Sequence, residues 1–306
     1  MTKILLALFL IITSATLGQT FEELVSSAAE AREEKNFKES IDLYNKALQL
    51  DENNHHIYNK LSLLHFYIGD VESSISYCNK TLDIVPDDST ALYQRGHCYL
   101  SLGQHRKALD DFIQAFELTN LQNSHGSFNI GKCYFGLGDI NKAIEFFELT
   151  LKLEPNDKYS YFQLGYCYAS FSSPEKDKAL LNYNEAIKLD SNYYDAYFNR
   201  GLLYATQFKN SKQGHSDLEK SIEIWPENKY SYLYNGILYR EEDDLGKSKD
   251  TFDKLIELYP DFADAYFQRA FTWYNIGILN MVCKDLEKAE ALGHKEAAEN
   301  QKNLCK

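Results

Sequence analysis

The chain has 306 residues and a formal net charge of −13, a length that suits one large domain or two ordinary ones. That charge has the wrong sign for a nucleic-acid binder, which needs a concentrated basic patch to meet phosphates, and no Lys/Arg cluster supplies one. With 44% hydrophobic and 25% charged residues, and only 5 Pro and 15 Gly, the composition excludes a linker-rich or disordered chain.

In chain order, the first element is expected to be a secretory signal over 1–18. Lys3 is its one charge, Ile4 to Ile12 form a short apolar run, and Thr16-Leu17-Gly18 offers small residues at the usual cleavage positions. Cleavage is expected after Gly18. The apolar run falls well short of the roughly 20 residues that span a bilayer. No later segment is long and apolar enough either, so membrane insertion is not expected. The mature chain is expected to be exported, periplasmic or extracellular.

From Ala28 onward one motif recurs eight times. A small residue sits ahead of an aromatic in Arg95-Gly96-His97-Cys98-Tyr99, Ile130-Gly131-Lys132-Cys133-Tyr134 and Leu164-Gly165-Tyr166-Cys167-Tyr168. Arg200-Gly201-Leu202-Leu203-Tyr204 and Asn235-Gly236-Ile237-Leu238-Tyr239 continue it, with Ala28, Ser62 and Ala270 at the ends. The spacings are 34, 34, 35, 34, 36, 35 and 34 residues. A second marker follows each, an aromatic or Leu three residues before Ala, as at Tyr44/Ala47, Phe112/Ala115, Tyr183/Ala186 and Leu286/Ala289. Pro86, Pro155, Pro226 and Pro260 fall at one position beyond it, and Pro174 in an insertion, so each proline lies where a helix must stop.

These residues resemble the tetratricopeptide repeat (TPR), a 34-residue helix–turn–helix unit. The resemblance implies an all-α fold, a right-handed α-solenoid of about eight units at 21–54, 55–88, 89–123, 124–157, 158–193, 194–228, 229–262 and 263–296. A capping helix over 297–306 would close the array begun at residue 19. Gly or Ala in the first helix would let the second approach, rings such as Tyr161, Tyr168 and Tyr183 would fill the contact, and Gly69, Gly103, Gly138 and Gly277 would turn the hairpins. One hairpin cannot bury its apolar face alone, so neighbours must stack. The sixth unit departs most, with Gly214 and Ser221 where Ala is usual, and its second helix is expected to be weaker.

In this family the first helices line a concave groove. Carried over position by position, the resemblance puts Phe66, Tyr93, His97, Phe128, Lys132 and Phe135 on that face in units two to four. Tyr159, Phe162, Tyr166, Phe198, Leu202 and Tyr230 follow in units five to seven, then Phe267, Phe271 and Tyr274. Rings there are not needed to join two helices, and an apolar stripe of that kind marks a binding site for a protein or peptide segment. The family's carboxylate-gripping chaperone pocket is not matched: only Asn129 with Lys132 resembles it.

Six cysteines in an exported chain invite a disulfide count. Cys98, Cys133 and Cys167 share one repeat position, on helices expected about 10 Å apart, too far to bridge, and read as small buried hydrophobes. Cys78 either meets Cys98 across a unit boundary or stays a buried thiol. Cys283 and Cys305 would meet if the cap ran antiparallel to the preceding helix, and a bridge there is one reading. The spacing of His55, His56 and His65 lacks the i, i+4 pairing of a helical zinc site, and no metal or cofactor is expected. The run Glu241-Glu242-Asp243-Asp244 lacks a calcium loop's alternation and reads as a solvated turn. Ser173-Pro174-Glu175-Lys176 matches Ser-x-x-Lys by chance, without companion motifs.

The expected function is therefore a non-catalytic scaffold that binds a partner segment in an aromatic-rich groove. The alternative is an envelope or assembly protein that self-associates through its ends or convex face. The composition and signal together resemble exported TPR proteins of bacteria.

Overall fold

The computed structural model describes residues 19–170 and 175–305. The expected signal over 1–18, and Ser173 and Pro174 of the insertion, lie outside them. Among the described residues there are seventeen α-helices and no strand. The chain divides into two compact units, Met1–Phe146 and Phe147–Lys306.

The first unit holds α1 (Phe21–Glu33), α2 (Phe37–Leu50), α3 (His55–Tyr67), α4 (Val71–Ile84), α5 (Ser89–Ser101), α6 (His105–Leu118) and α7 (Ser124–Gly136). The division falls inside α8 (Ile140–Leu153). The second unit continues with α9 (Lys158–Ala169), α10 (Lys176–Leu189), α11 (Tyr194–Thr206), α12 (Ser211–Ile224), α13 (Lys229–Glu241) and α14 (Leu245–Leu258). It ends with α15 (Ala263–Ile276), α16 (Leu279–Ala291) and the short α17 (Ala297–Leu304). Helices adjacent in sequence pack on one another from α1 to α7 and from α9 to α17, and alternate helices also touch: α3 on α5 in the first unit, and α9, α11, α13 and α15 in series in the second. This is the solenoid-like pairing that the repeat implies.

Local chemistry sets the helix ends. Asn54, Asp88, Asn123, Asp157 and Asn228 each cap a first helix by accepting a backbone N–H, a contact that typically stabilises by about 1 kcal/mol. Pro86, Pro155, Pro226 and Pro260 all sit in the turns between one hairpin and the next. Within hairpins the turn needs a left-handed residue. Gly69, Gly103, Gly138 and Gly277 supply it, with φ between 69° and 90°, but Lys35 and Asp243 hold the same turn at φ 61° and 64° despite their side chains. The acidic run around Asp243 does form a turn, yet two of its carboxylates have partners. Asp244 caps α14, and Glu242 Oε2 lies 2.9 Å from Nε2 of the buried His215.

Packing within hairpins turns on the small residue. A Cβ added at Gly165 would meet the Tyr183 ring at 2.7 Å, and one at Gly236 the Phe252 ring at 2.8 Å. The sixth repeat solves the contact differently from what its sequence suggested. Its second helix α12 runs a full fourteen residues. Gly201 and Gly214 face each other backbone to backbone, so that a Cβ on either would come within 3.1–3.2 Å of the other's carbonyl oxygen. Two glycines let α11 and α12 approach without an aromatic spacer, and the buried Ser221 bonds the equally buried Ser231 at 2.9 Å.

A polar clamp that the periodicity did not signal also recurs. Arg200 donates from Nε and Nη2 to Asp217 at 2.7 and 2.8 Å and from Nη1 to Asn184 at 2.6 Å, so α11 ties its own partner helix and the second helix before it. Arg269 binds Asp285 and Asp253 in the same way, and in the first unit Arg95 binds Asp111 and Asn79.

Cys78, Cys98, Cys133 and Cys167 are buried free thiols. Burial pushes Cys133 and Cys167 up to about 12, and Cys78 to about 12 despite a hydrogen bond to Ser62, so these sulfurs stay protonated and unreactive. Cys283 and Cys305 are joined in a disulfide, Cα–Cα 5.6 Å, which holds the end of α17 against α16.

Candidate functional site

The first helices α9, α11 and α13 of the second unit, with the connectors that follow, line a cavity of about 590 Å³. Tyr166 of α9, Tyr194, Asp195, Phe198 and Asn199 of α11, and Lys229 and Tyr230 of α13 line it, with Trp225, Glu227, Asn228 and Tyr259 from the connectors. Three of these rings, Tyr166, Phe198 and Tyr230, are at the positions where the repeat register expects a groove. Trp225 and Tyr259 were not anticipated. They occupy equivalent places, each immediately before the proline of its repeat, a signal the sequence carries.

The rings form an open, partly ordered wall. Tyr194 and Trp225 lie 4.6 Å apart, and Phe198 meets Tyr234 edge to face at 5.8 Å. Tyr230 meets Phe262 edge to face at 6.0 Å, with the Lys229 ammonium 4.4 Å from the Phe262 centroid and 5.3 Å from Tyr230. Tyr259 donates to the Glu227 carbonyl at 2.6 Å, which fixes the connector. Trp225 and Tyr230 remain 41% and 47% exposed, far more than core rings such as Tyr183 or Phe252. Burial pushes the Asp195 carboxyl above its ordinary value, and a hydrogen bond from Tyr194 offsets part of the rise.

The neighbouring rings extend this face. Phe162 lies 5.2 Å from Tyr193 and stacks near Tyr166 at 6.4 Å, and Tyr159 meets Tyr193 at 5.8 Å. Lys158, paired with Asp190 at 2.5 Å, sits over Tyr159 and Tyr193. Leu202 is half-buried. At the far end Tyr274 is exposed, and Phe271 is partly buried against the C-terminal core with the Arg240 guanidinium 5.7 Å from its ring. Phe267 departs from the expected groove. It is 6% exposed, a core residue with Ala270, Val282 and Leu286, because His294 folds back from the last turn and stacks on its ring at 3.8 Å.

In the first unit the expected residues gather differently. Phe66 and His97 share a small, mostly apolar cavity of about 190 Å³ with Leu63, Tyr67 and Gln94. Tyr93 and His97 line an adjoining one of about 400 Å³. Tyr93 and His97 meet edge to face at 4.8 Å, and burial, then Lys132 and His125, lowers the His97 pKa, keeping its ring neutral. Phe128 and Phe135 are half-buried, and Lys132 lies 6.0 Å from the Phe128 centroid. Asn129 donates to the Tyr93 hydroxyl at 2.6 Å and the His125 carbonyl at 2.9 Å. Among the described residues no three His, Cys, Asp or Glu gather as metal ligands.

Four segments match models of the repeat. Residues 89–120, 127–157 and 230–261 match tetratricopeptide repeat models, and 175–207 matches a TPR repeat model. A TPR repeat-containing protein of Methanocaldococcus jannaschii is 23% identical over 259 residues, covering 79% of this chain and 45% of the relative. Hsp70-Hsp90 organizing protein 3 of Arabidopsis thaliana is 23% identical over 239 residues, 75% of this chain and 41% of the relative. The chain thus spans less than half the length of these curated relatives. Among solved structures, the C-terminal part of a TPR repeat-containing protein from Cytophaga hutchinsonii superposes with a TM-score of 0.61 at 19% identity, over 80% of this chain and 98% of that one. Helix pairing, register and matches agree: this chain carries tetratricopeptide repeats.

Proposed function

We propose that the chain is a non-catalytic interaction scaffold that holds a segment of a partner protein against its first helices. The cavity between α9, α11 and α13 is the main seat, and the chain is exported from a bacterial cell. The observation that carries this reading is the exposure of Trp225 and Tyr230 around a cavity of about 590 Å³. Large rings left half in water, beside polar groups that can fix a backbone, are the usual anchors of a bound segment. Export rests on the 1–18 sequence, and on it alone. No helix among the described residues is long and apolar enough to cross a membrane.

The chaperone link in one relative's name does not carry over. A carboxylate clamp needs free amides and ammonium groups, but Asn59 is engaged by Asp88 and Thr81, and Asn129 by Tyr93 and the His125 carbonyl.

Selection of short random peptides from a display library on the full chain tests this function. Peptides that bind should lose roughly 30-fold in affinity when Trp225→Ala and Tyr230→Ala are combined, the weight of a hot spot of about 2 kcal/mol. Circular dichroism should stay helical. Selected peptides that bind the double variant as well as the parent would remove this face from the account.

A further inference from the structure

The first helices α11 and α15 share a string, Asp-Ala-Tyr-Phe-x-Arg, at 195–200 and at 264–269. Each copy starts at the second residue of its helix. The two arginines do the same thing, gripping Asp217 and Asp285. The Asp and Phe of the two copies have different surroundings.

In α15 the pair is occupied by the chain itself. His294 stacks on Phe267 with centroids 3.8 Å apart and planes 18° from parallel, and its Nε2 lies 3.4 Å from Asp264 Oδ1. A planar nitrogen ring thus lies on the Phe and points its N–H edge at the carboxylate. In α11 the same two residues, Asp195 and Phe198, open onto the cavity. Asp195 has no ion-pair partner among the described residues, and burial already raises its carboxyl. Lys229, which also lines the cavity, has its ammonium over the Phe262 ring instead.

We infer that the Asp195/Phe198 pocket receives the planar cationic side chain of the partner segment, an arginine, laid on Phe198 with its guanidinium toward Asp195. This rests on the peptide-binding reading above and specifies the partner's chemistry. The internal complex of His294 with Phe267 and Asp264 is its template. Arginine fits better than lysine because its fork matches a carboxylate and its plane stacks on rings. Tyr194, Trp225 and Tyr230 offer further faces to a cation. A net charge of −13 favours the approach of a basic segment.

The test uses the full chain and labelled peptide pools of random background with one fixed central residue, Arg, Lys, Met or Glu, read by fluorescence anisotropy. The Arg pool should bind about tenfold more tightly than the Met pool, the scale of one cation–π and carboxylate contact. Asp195→Asn should erase that advantage and leave the Met pool unchanged, while Asp264→Asn, already occupied from within, should preserve it. Phe198→Leu, a second variant that does not alter charge, should also reduce the advantage. Equal binding of the Arg and Met pools, or an Arg preference that survives Asp195→Asn, overturns the inference while leaving a peptide-binding face intact. Failure of every pool to bind removes both readings. Sedimentation separates one more occupant: a dimer that Asp195→Asn dissociates would assign the pocket to a second copy and contradict the arginine.

Discussion

Arg200 is held between two second helices by three short hydrogen bonds, and one of its partners, the Asp217 side chain, is only 3% exposed. Removing the arginine strands that carboxylate in a place water hardly reaches, and breaking such a pair costs about 3–5 kcal/mol. Arg200→Ala is therefore expected to lower stability by that order in urea unfolding. Lys220→Ala, which breaks only the surface pair with Glu223, should cost less than about 1 kcal/mol. Equal midpoints for the two variants would show that the clamp contributes nothing. The arginines stood in view beside the packing residue, as Arg95-Gly96, Arg200-Gly201 and Arg269-Ala270. Their partners lie 16 or 17 residues away, forward on the own second helix and backward on the preceding one. Neither helical periodicity nor the repeat length exposes such a pairing. An Arg followed 16 or 17 residues later by an Asp, occurring three times, is the signal that would have.

Among the helices, signals of turn chemistry were legible and signals of enclosure were not. Prolines, capping residues and the small-residue spacing placed the helices because each acts within a few residues of itself. Phe267 was misassigned because what covers it comes from the turn that ends the last repeat, where His294 folds back onto its ring. Gly214 read as a weakness because its compensation is another glycine on the facing helix. The links between helices also carry a pH dependence. Lys158 bonds Asp190 and, with the Asn192 backbone, holds its carboxyl below the ordinary value. At Asp253 burial alone would raise the carboxyl, but hydrogen bonds from Lys249 and Arg269 outweigh it and the pKa is lowered. For carboxyls lowered by folding, the stabilisation is complete above the unfolded value of about 4 and is lost as pH falls through the folded values. The urea midpoint should hold steady from about pH 7 to 5 and decline below about pH 4. Asp253→Asn should make that decline shallower, and an unchanged slope would detach Asp253 from it.

For the whole molecule, the repeat made the all-helical architecture readable from sequence, since one 34-residue pattern written eight times leaves few other ways to bury its apolar faces. The candidate site was legible in part. Register placed Tyr166, Phe198 and Tyr230 on one face, but the cavity they share is completed by Trp225 and Tyr259 in the connectors, whose side chains no helical register positions. Trp225 also provides the most direct measurement. The chain has two tryptophans, and the other, Trp273, lies outside the cavity with its indole N–H buried. In a Trp273→Phe background, emission reports Trp225 alone. When a selected peptide saturates the protein, that emission should shift to the blue and acrylamide quenching should fall, as the indole passes from water into a contact. Saturating binding that leaves both the emission and the quenching of Trp225 unchanged would contradict a partner seated on this face.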